Sequence, residues 1–346
     1  MASKSLSFLI VGYLEGGGSQ YLHALADELR ASGHRVNMLA IDNPNPHPVY
    51  GVLRCTPWQF GRLGRSILNR QLFSIVRRAD VDVFLVYSPN RFVNTATLGR
   101  LRRRGVTTVL WEDDLALRDG FQVEAAADFD LVVVTDSYIV PFFEQVLKHT
   151  NVHVLQGCAL PDAYPRTAPS AKQLETYGAD VSFIGKFFPH RDEFFRQLDH
   201  PVRIWGHDWS EKSSLPHRAE ITPLDWRDKP QVYTASKINL HLRAGGQQVN
   251  GFSSRIYEVP LCGGFILAEW TADLEDCFEL DREIAVFRNP QEARQKIEFY
   301  LSNPDERKLM SERLRERVMK DYTLRQTVSR FQELLSQFFG QDARAQ

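Results

Sequence analysis

Two doubly wound α/β domains of similar size, facing a ligand cleft, are the fold the sequence predicts. Three observations predict it. Short apolar runs alternate with amphipathic stretches from Leu6 to Leu155, a proline-bearing stretch from Pro161 to Gly178 interrupts them, and the alternation then restarts. Strands alternating with helices form right-handed βαβ units, and these build parallel sheets covered on both faces. At roughly 150 residues per domain, a length of 346 residues holds about two such domains.

The first domain is expected over residues 1–160. Leu6 to Val11 reads as a buried strand, followed by a glycine-rich turn at Gly16, Gly17 and Gly18. Tyr21, Leu22, Leu25, Ala26 and Leu29 then recur at helical spacing until Gly33 ends the helix. Val36 to Ile41 is the second strand. Pro44, Pro46, Pro48 and Pro57 make the next stretch a loop, and Leu63 to Val76 is helical. Val83 to Tyr87, Val106 to Trp111, Leu131 to Thr135 and Val152 to Leu155 are further strands. Residues 161–180 read as a linker. In the second domain, 181–322, strands are expected at Val181 to Ile184, Val202 to Trp205, Ile238 to Leu242, Phe265 to Ala268 and Ile284 to Phe287. Helices fall at Arg191 to Leu198, Ser254 to Leu261 and Pro290 to Leu301, then at Asp305 to Met319 and Leu324 to Phe339. The last stretch, 323–346, is expected to pack back toward the first domain.

Composition narrows the function classes. A 43% hydrophobic and 25% charged chain is ordinary for globular protein, which excludes disordered, collagenous and coiled-coil chains. No apolar run reaches the roughly 18 to 20 residues that cross a bilayer, and Met1 to Val11 lacks the cleavage site of a signal peptide. Cys55, Cys158, Cys262 and Cys277 form no CxxC pair, which speaks against a zinc site or disulfide framework and suits a reducing cytoplasm. A net charge of -1 names no partner, but its distribution does. Between Arg54 and Arg104 stand 11 basic residues against two acids, Asp80 and Asp82, a local net of +9. Part of this segment is amphipathic, with Phe60, Leu63, Ile67, Leu72 and Ile75 set against Arg62, Arg65, Arg70, Arg77 and Arg78. Such a pattern most often marks a domain helix with one buried face. It also offers a surface to an anionic acceptor or to the inner face of a membrane, with nucleic acid disfavoured.

Ligands of doubly wound sheets bind beyond the carboxyl ends of the strands, so the loops there carry the candidate chemistry. Gly16, Gly17 and Gly18 open a helix and would let an acceptor or a phosphate approach the backbone, although their spacing is not GxGxxG. The densest signal runs from Arg243 to Glu269. There a strand gives way to a polar glycine-rich loop, and a helix opens at Ser253 or Ser254. Arg255 in the first turn opposes the helix dipole, and an anion above it would supply the reason. Glu258, one turn on, is placed to accept hydrogen bonds from ribose hydroxyls. Glu112, Asp113 and Asp114 follow a strand and are the candidate general bases, with Asp136 a second choice. Asp80-Val-Asp82 and Asp128-Phe-Asp130 read DxD, a metal-binding pattern, but they precede strands and so lie at the wrong end. Trp205-Gly-His-Asp-Trp209 follows a strand and could flank a base or fill the core.

The segment Asn250-Gly251-Phe252-Ser253-Ser254-Arg255-Ile-Tyr-Glu258-Val-Pro-Leu-Cys-Gly-Gly-Phe265 resembles the donor-binding segment of sugar-nucleotide-dependent glycosyltransferases of the GT-B fold. That family segment has the form E-G-F-G-L-P-x-x-E-A-x-A-C-G-x-P, and its second Glu, which holds the ribose, matches Glu258. Its first Glu is Asn250 here. Arg255, three residues before Glu258, is similar to the CgeB-like branch of the group 1 family, named after a spore maturation protein. Phe183-Ile-Gly-Lys186-Phe-Phe-Pro-His-Arg191 resembles the strand-Gly-basic segment that opens the second domain of these enzymes. Weaker likenesses join Gly16-Gly-Gly-Ser and Gly33-His-Arg-Val to their N-terminal segments. The resemblance is firm over 180–330 and looser over 1–160.

The resemblance implies an enzyme that moves a hexosyl or related sugar from a nucleotide-diphosphate sugar to a glycan, lipid-linked glycan or protein acceptor. Lys186, Arg191, Arg243, Asn250, Gly251, Phe252, Ser253, Ser254, Arg255 and Glu258 would bind the donor. Cations and N–H groups would hold the departing diphosphate, so neither a metal nor a further cofactor is required. UDP is slightly favoured as the nucleotide. A same-fold sugar-nucleotide epimerase or hydrolase, or a non-catalytic nucleotide-sugar-binding assembly protein, are the alternatives.

Overall fold

The computed structural model describes residues 5–12, 19–40, 62–87, 93–112, 126–213, 215, 219–222 and 224–345. The chain divides into two compact units. The first comprises Met1–Gln156 with Thr327–Gln346, and the second Gly157–Gln326.

The first unit is built on six parallel strands: β1 (Ser7–Gly12), β2 (Arg35–Ala40), β3 (Val83–Tyr87), β4 (Thr107–Glu112), β5 (Leu131–Val134) and β6 (Val152–Val154), in the order β2-β1-β3-β4-β5-β6. These strands read as continuous apolar runs because helices cover the sheet, and Phe8, Ile10, Phe84, Leu85, Leu110 and Val132 are fully buried. Helix α1 (Ser19–Ala31) buries Leu22, Leu25, Ala26 and Leu29, and Gly33 at φ 88° turns the chain into β2. Helix α2 (Arg62–Arg78) buries Asn69, Leu72 and Val76, spaced three and four residues apart. Helix α3 (Thr95–Arg102) is capped by Asn94, whose side chain accepts from the Thr97 N–H.

The second unit repeats the plan with β7 (Ala179–Ile184), β8 (Val202–Trp205), β9 (Ala219–Thr222), β10 (Ser236–His241), β11 (Ile266–Glu269) and β12 (Ala285–Phe287), all parallel, in the order β12-β11-β10-β7-β8-β9. Its helices are α4 (Ala171–Tyr177), α5 (Pro189–Leu198), α6 (Trp209–Lys212), α7 (Lys229–Ala235), α8 (Arg255–Leu261), α9 (Ala272–Cys277), α10 (Pro290–Ser302) and α11 (Pro304–Asp321). Pro189, Pro290 and Pro304 each stand in a first helical turn, where no N–H is missed. A side chain at Gly206 would put its Cβ 2.0 Å from the Gly185 carbonyl oxygen, so only glycine lets the loops after β7 and β8 approach this closely. Helix α12 (Leu324–Ala345) carries the chain back into the first unit, where Phe331 packs edge-on to Trp111 at 5.1 Å.

Helices α3, α6, α7 and α9 have no counterpart among the expected elements, and two further elements depart from the sequence pattern. Strand β9 went unmarked because Ala-Glu-Ile-Thr alternates weakly between Pro216 and Pro223, as an edge strand can. Helix α4 lies in the stretch that reads as linker, and a capping box between Ser170 and Gln173 holds its start. Strand order reverses between β1 and β3 in the first sheet and between β7 and β10 in the second. Such a switch point opens a crevice at the carboxyl ends of the two strands.

Candidate functional site

At the switch point of the second sheet, the loops after β7 and β10 are tied together by one arginine. Arg191, in the first turn of α5, is 1% exposed. Its Nε donates to the Arg243 carbonyl at 3.0 Å, Nη1 to the Lys186 carbonyl at 2.8 Å and Nη2 to the Leu242 carbonyl at 2.7 Å. The guanidinium lies over Phe183 and Phe188, 5.1 and 5.0 Å from the ring centres. Burial, then the charge of Arg255, push its pKa down to about 9 against the pull of Glu269, so it stays a cation at neutral pH. Lys186 is exposed in the loop above it.

Arg243 is committed to Glu269 at the end of β11. Its Nε and Nη2 reach Glu269 Oε1 at 3.0 and 2.7 Å, and its backbone N–H reaches Oε2 at 2.9 Å. Nη1 also donates to the Val249 carbonyl at 3.1 Å, bracing a loop that turns at Gly246 with φ 78°. Further along, the Asn250 carbonyl accepts the Asp273 N–H at 3.1 Å, Gly251 is buried, and Phe252 packs against Tyr257 and Phe278. Ser253 is anchored by His241, the last residue of β10. Its Oγ lies 3.0 Å and its N–H nitrogen 3.4 Å from His241 Nε2. His241 is wholly buried, and burial followed by Arg255, Arg191 and Arg243 holds its pKa well below 6.5. Its Nδ1 is sealed from solvent without a partner.

Ser254 stands at the cap position of α8, yet its φ of −51° and ψ of −20° are helical and its hydroxyl caps nothing. Instead Ser254 Oγ donates to Glu258 Oε1 at 2.7 Å, one turn on. Tyr233 Oη, from α7, donates to Glu258 Oε2 at 2.7 Å, and Lys229 Nζ lies 3.5 and 3.4 Å from the two carboxylate oxygens. Glu258 is thereby sealed to 2% exposure. Burial and then the Glu258 charge raise the Tyr233 phenol well above 10, so it remains a neutral donor.

Arg255 differs from all of these. It is half-buried, its side chain forms no hydrogen bond or ion pair among the described residues, and its Nε is shut off from water without an acceptor. Glu269 is matched by Arg243 and Glu258 by Lys229. Among the described residues Arg191 and Arg255 pair with no carboxylate, which concentrates two unmatched positive charges at the carboxyl ends of β7 and β10. An unsatisfied buried donor of this kind is costly unless an anion meets it.

The other expected residues fall elsewhere. Glu112 is buried as the last residue of β4, whereas Gly16, Gly17, Gly18, Asp113 and Asp114 lie outside the described residues. Asp136 is buried and caps the turn after β5 by accepting the Tyr138 N–H at 3.0 Å. The DxD acids bind strand ends together at the amino side of the sheet. Asp82 accepts the Ser7 N–H at 2.7 Å, and Asp130 accepts the Thr108 N–H and hydroxyl at 2.8 and 2.7 Å. Among the described residues no three His, Cys, Asp or Glu side chains gather to hold a metal ion. Trp205 and Trp209 are core residues rather than base-flanking ones. Trp209 is fully buried against Phe183, Phe187 and Phe195, with its indole N–H on the Gly185 carbonyl at 2.7 Å, and Trp205 is buried beside Tyr177.

In the basic segment, Arg70, Arg77, Arg78, Arg100, Arg102, Arg103 and Arg104 are exposed. No described helix is long and apolar enough to cross a membrane. Lys229, Tyr233, His241 and Glu269 join the site without any motif that marks them. Only the position of His241 and Glu269 at strand ends signals them in the sequence.

Comparison with known proteins bears on the fold. A family profile described as glycosyl transferase-like matches residues 191–334. No curated protein matches the chain in sequence. Among solved structures, sucrose-phosphate synthase from Thermosynechococcus elongatus is 12% identical, with a TM-score of 0.72 over 97% of this chain and 99% of that one. A glycosyltransferase from Rickettsia africae is 12% identical, with a TM-score of 0.73 over 97% and 99%. Anabaena HepE in complex with UDP-glucose is 13% identical, with a TM-score of 0.70 over 96% and 100%. The two parallel-sheet α/β units thus form the GT-B fold of glycosyltransferases.

Proposed function

We propose that the chain is a glycosyltransferase that takes a hexosyl or related sugar from a nucleotide-diphosphate sugar, with UDP the favoured nucleotide. The observation that carries this reading is Arg255, a half-buried guanidinium with no partner among the described residues, beside Arg191, which pairs with no described carboxylate, at the β7/β10 switch point. A diphosphate supplies the missing negative charge there, and Lys186 rims it. The neighbouring Glu258 is the ribose acceptor. Likeness to HepE, solved in complex with UDP and with UDP-glucose, supports the choice of nucleotide. Arg255 before Glu258 favours the CgeB-like branch.

In the reaction, the bond from the anomeric carbon to the diphosphate oxygen breaks, and the leaving nucleotide takes the electron pair. Arg255, Arg191 and Lys186 stabilise the charge that develops on it, without a metal. The acceptor hydroxyl forms the new glycosidic bond. In an inverting enzyme its proton passes to Glu112, Asp113 or Asp114. Gly16, Gly17 and Gly18 are assigned by sequence to the acceptor or its phosphate. The site of action is cytoplasmic, with the basic segment meeting an anionic acceptor or the inner membrane face. Asn250, standing where the family carries Glu, favours as a second reading a protein that binds the nucleotide sugar without turning it over.

Substituting Arg255→Ala tests the assignment. Its loss is expected to weaken nucleotide-diphosphate binding at least tenfold while leaving nucleoside binding little changed. Equal diphosphate affinity in the variant and the wild type would sink the assignment.

A further inference from the structure

The carboxylate assigned to the ribose is already occupied by the protein itself. Glu258 has two oxygens, and each holds a short hydrogen bond from a hydroxyl of the chain, Ser254 on Oε1 and Tyr233 on Oε2, both at 2.7 Å. Tyr233 is 1% exposed and anchored in the core, so it does not yield. Ser254 is half-buried and makes one side-chain hydrogen bond among the described residues, this one. It occupies a helix cap position, where serine ordinarily binds a free N–H of the first turn, yet no such bond forms. The carbonyls of Ser253 and Ser254 meet the N–H groups of Ile256, Tyr257 and Glu258 instead. The hydroxyl is thus spared from capping and spent on Glu258.

We propose that the Ser254 hydroxyl is an internal stand-in for a ribose hydroxyl, a displaceable plug that keeps Glu258 satisfied until a ribonucleotide replaces it. This inference rests on the donor-site reading above and adds a residue that tunes affinity. An anionic carboxylate 2% exposed is costly without donors, so the empty protein needs the plug. Lys229, 3.4 Å away, offsets the charge in both states and stays in place. A ribose hydroxyl that takes the place of Ser254 on Oε1 gives back what Ser254 gave. The net gain from that contact is therefore small in the wild type. Removing the plug restores it.

The prediction runs opposite to that for a direct ligand contact. Ser254→Ala leaves the empty carboxylate one donor short. The variant should melt below the wild type and bind UDP about three- to tenfold more tightly, the range of one net hydrogen bond. Ser254→Thr keeps a hydroxyl and should match the wild type in both. The advantage of UDP over 2′-deoxy-UDP should widen in Ser254→Ala, because the deoxynucleotide has fewer hydroxyls with which to replace the plug.

The experiment is calorimetric titration of UDP and 2′-deoxy-UDP into the three full-length proteins, beside their melting curves. Tighter UDP binding by Ser254→Ala supports the plug. If the wild type binds UDP and Ser254→Ala binds it equally or more weakly, the plug is overturned and the donor site stands. If none of the three binds UDP, the UDP reading and the plug fall together.

Discussion

Arg191 and His241 show how one residue's environment can be read as chemistry. His241 is enclosed with three arginines facing it, Arg255 from α8, Arg191 from α5 and Arg243 from the loop between β10 and α8, and Glu258 and Glu269 are bound to other partners. The imidazole is therefore neutral in the folded protein and an ordinary histidine, pKa near 6.5, in the unfolded one. Below that value the unfolded chain binds a proton that the native chain does not. Stability is thus full above pH 6.5 and lost as pH falls toward the depressed folded value, by ~1.4 kcal/mol per unit of depression. Burial lowers His34 and His153 as well, and they add to the same slope. Melting temperatures recorded from pH 7.5 to 5 should fall for the wild type and fall less steeply for His241→Asn. Parallel curves would remove His241 from the account. None of this was legible in the sequence, where His241 is one of 10 histidines without metal spacing. Burial and three converging charges are products of the fold.

Elements were legible where pattern and punctuation agreed. Helix α5 opens on Pro189, α10 opens on Pro290 after its cap Asn289, and α8 follows the serine pair, so each start was marked by a residue with a mechanical reason to stand there. Ser254 shows the limit of that logic, since the right residue at the right place does a different job. The ends of α2 and α3 hold the element-scale prediction. Each helix runs antiparallel to the strand that follows, so Arg77 and Arg78 arrive beside the start of β3, and Arg102, Arg103 and Arg104 beside the start of β4. Those strands are hydrogen-bonded neighbours. Arg102 faces Asp130 at 3.6 Å, while the other four have no carboxylate partner among the described residues. The result is one exposed cationic edge at the amino side of the sheet, built from forks that suit phosphate oxygens. If this edge meets the inner membrane face, the protein should co-sediment with vesicles rich in phosphatidylglycerol and not with phosphatidylcholine ones. Reversing Arg77, Arg78, Arg103 and Arg104 to Glu should abolish that. Equal sedimentation before and after reversal would contradict it.

For the whole molecule, the alternation of strand and helix carried most of the information. Eleven of the twelve strands correspond to apolar runs in the sequence, because a strand buried on both faces leaves no polar alternation to confuse. The switch points were not in the pattern, since strand order depends on pairing across the chain. Once β7 and β10 are adjacent, Lys186, Arg191, Arg243, Arg255 and Glu258 come together from segments up to 72 residues apart, as Lys186 and Glu258 are in number. The sequence supplied those residue types, and the fold sorted them. Arg243 and Arg191 became braces, Glu258 became plugged, and Arg255 was left without a partner among the described residues. That sorting makes the central claim specific, namely that the β7/β10 crevice binds a nucleotide diphosphate through Arg255. The most direct measurement is titration of UDP, GDP, ADP, dTDP and CMP into the wild type, with and without a metal chelator. One diphosphate should bind well ahead of the rest, UDP first, with the same affinity when chelator is present. Ligand at about 100 times its dissociation constant should add roughly 2.7 kcal/mol of stability. Indifference to all five nucleotides would contradict the account.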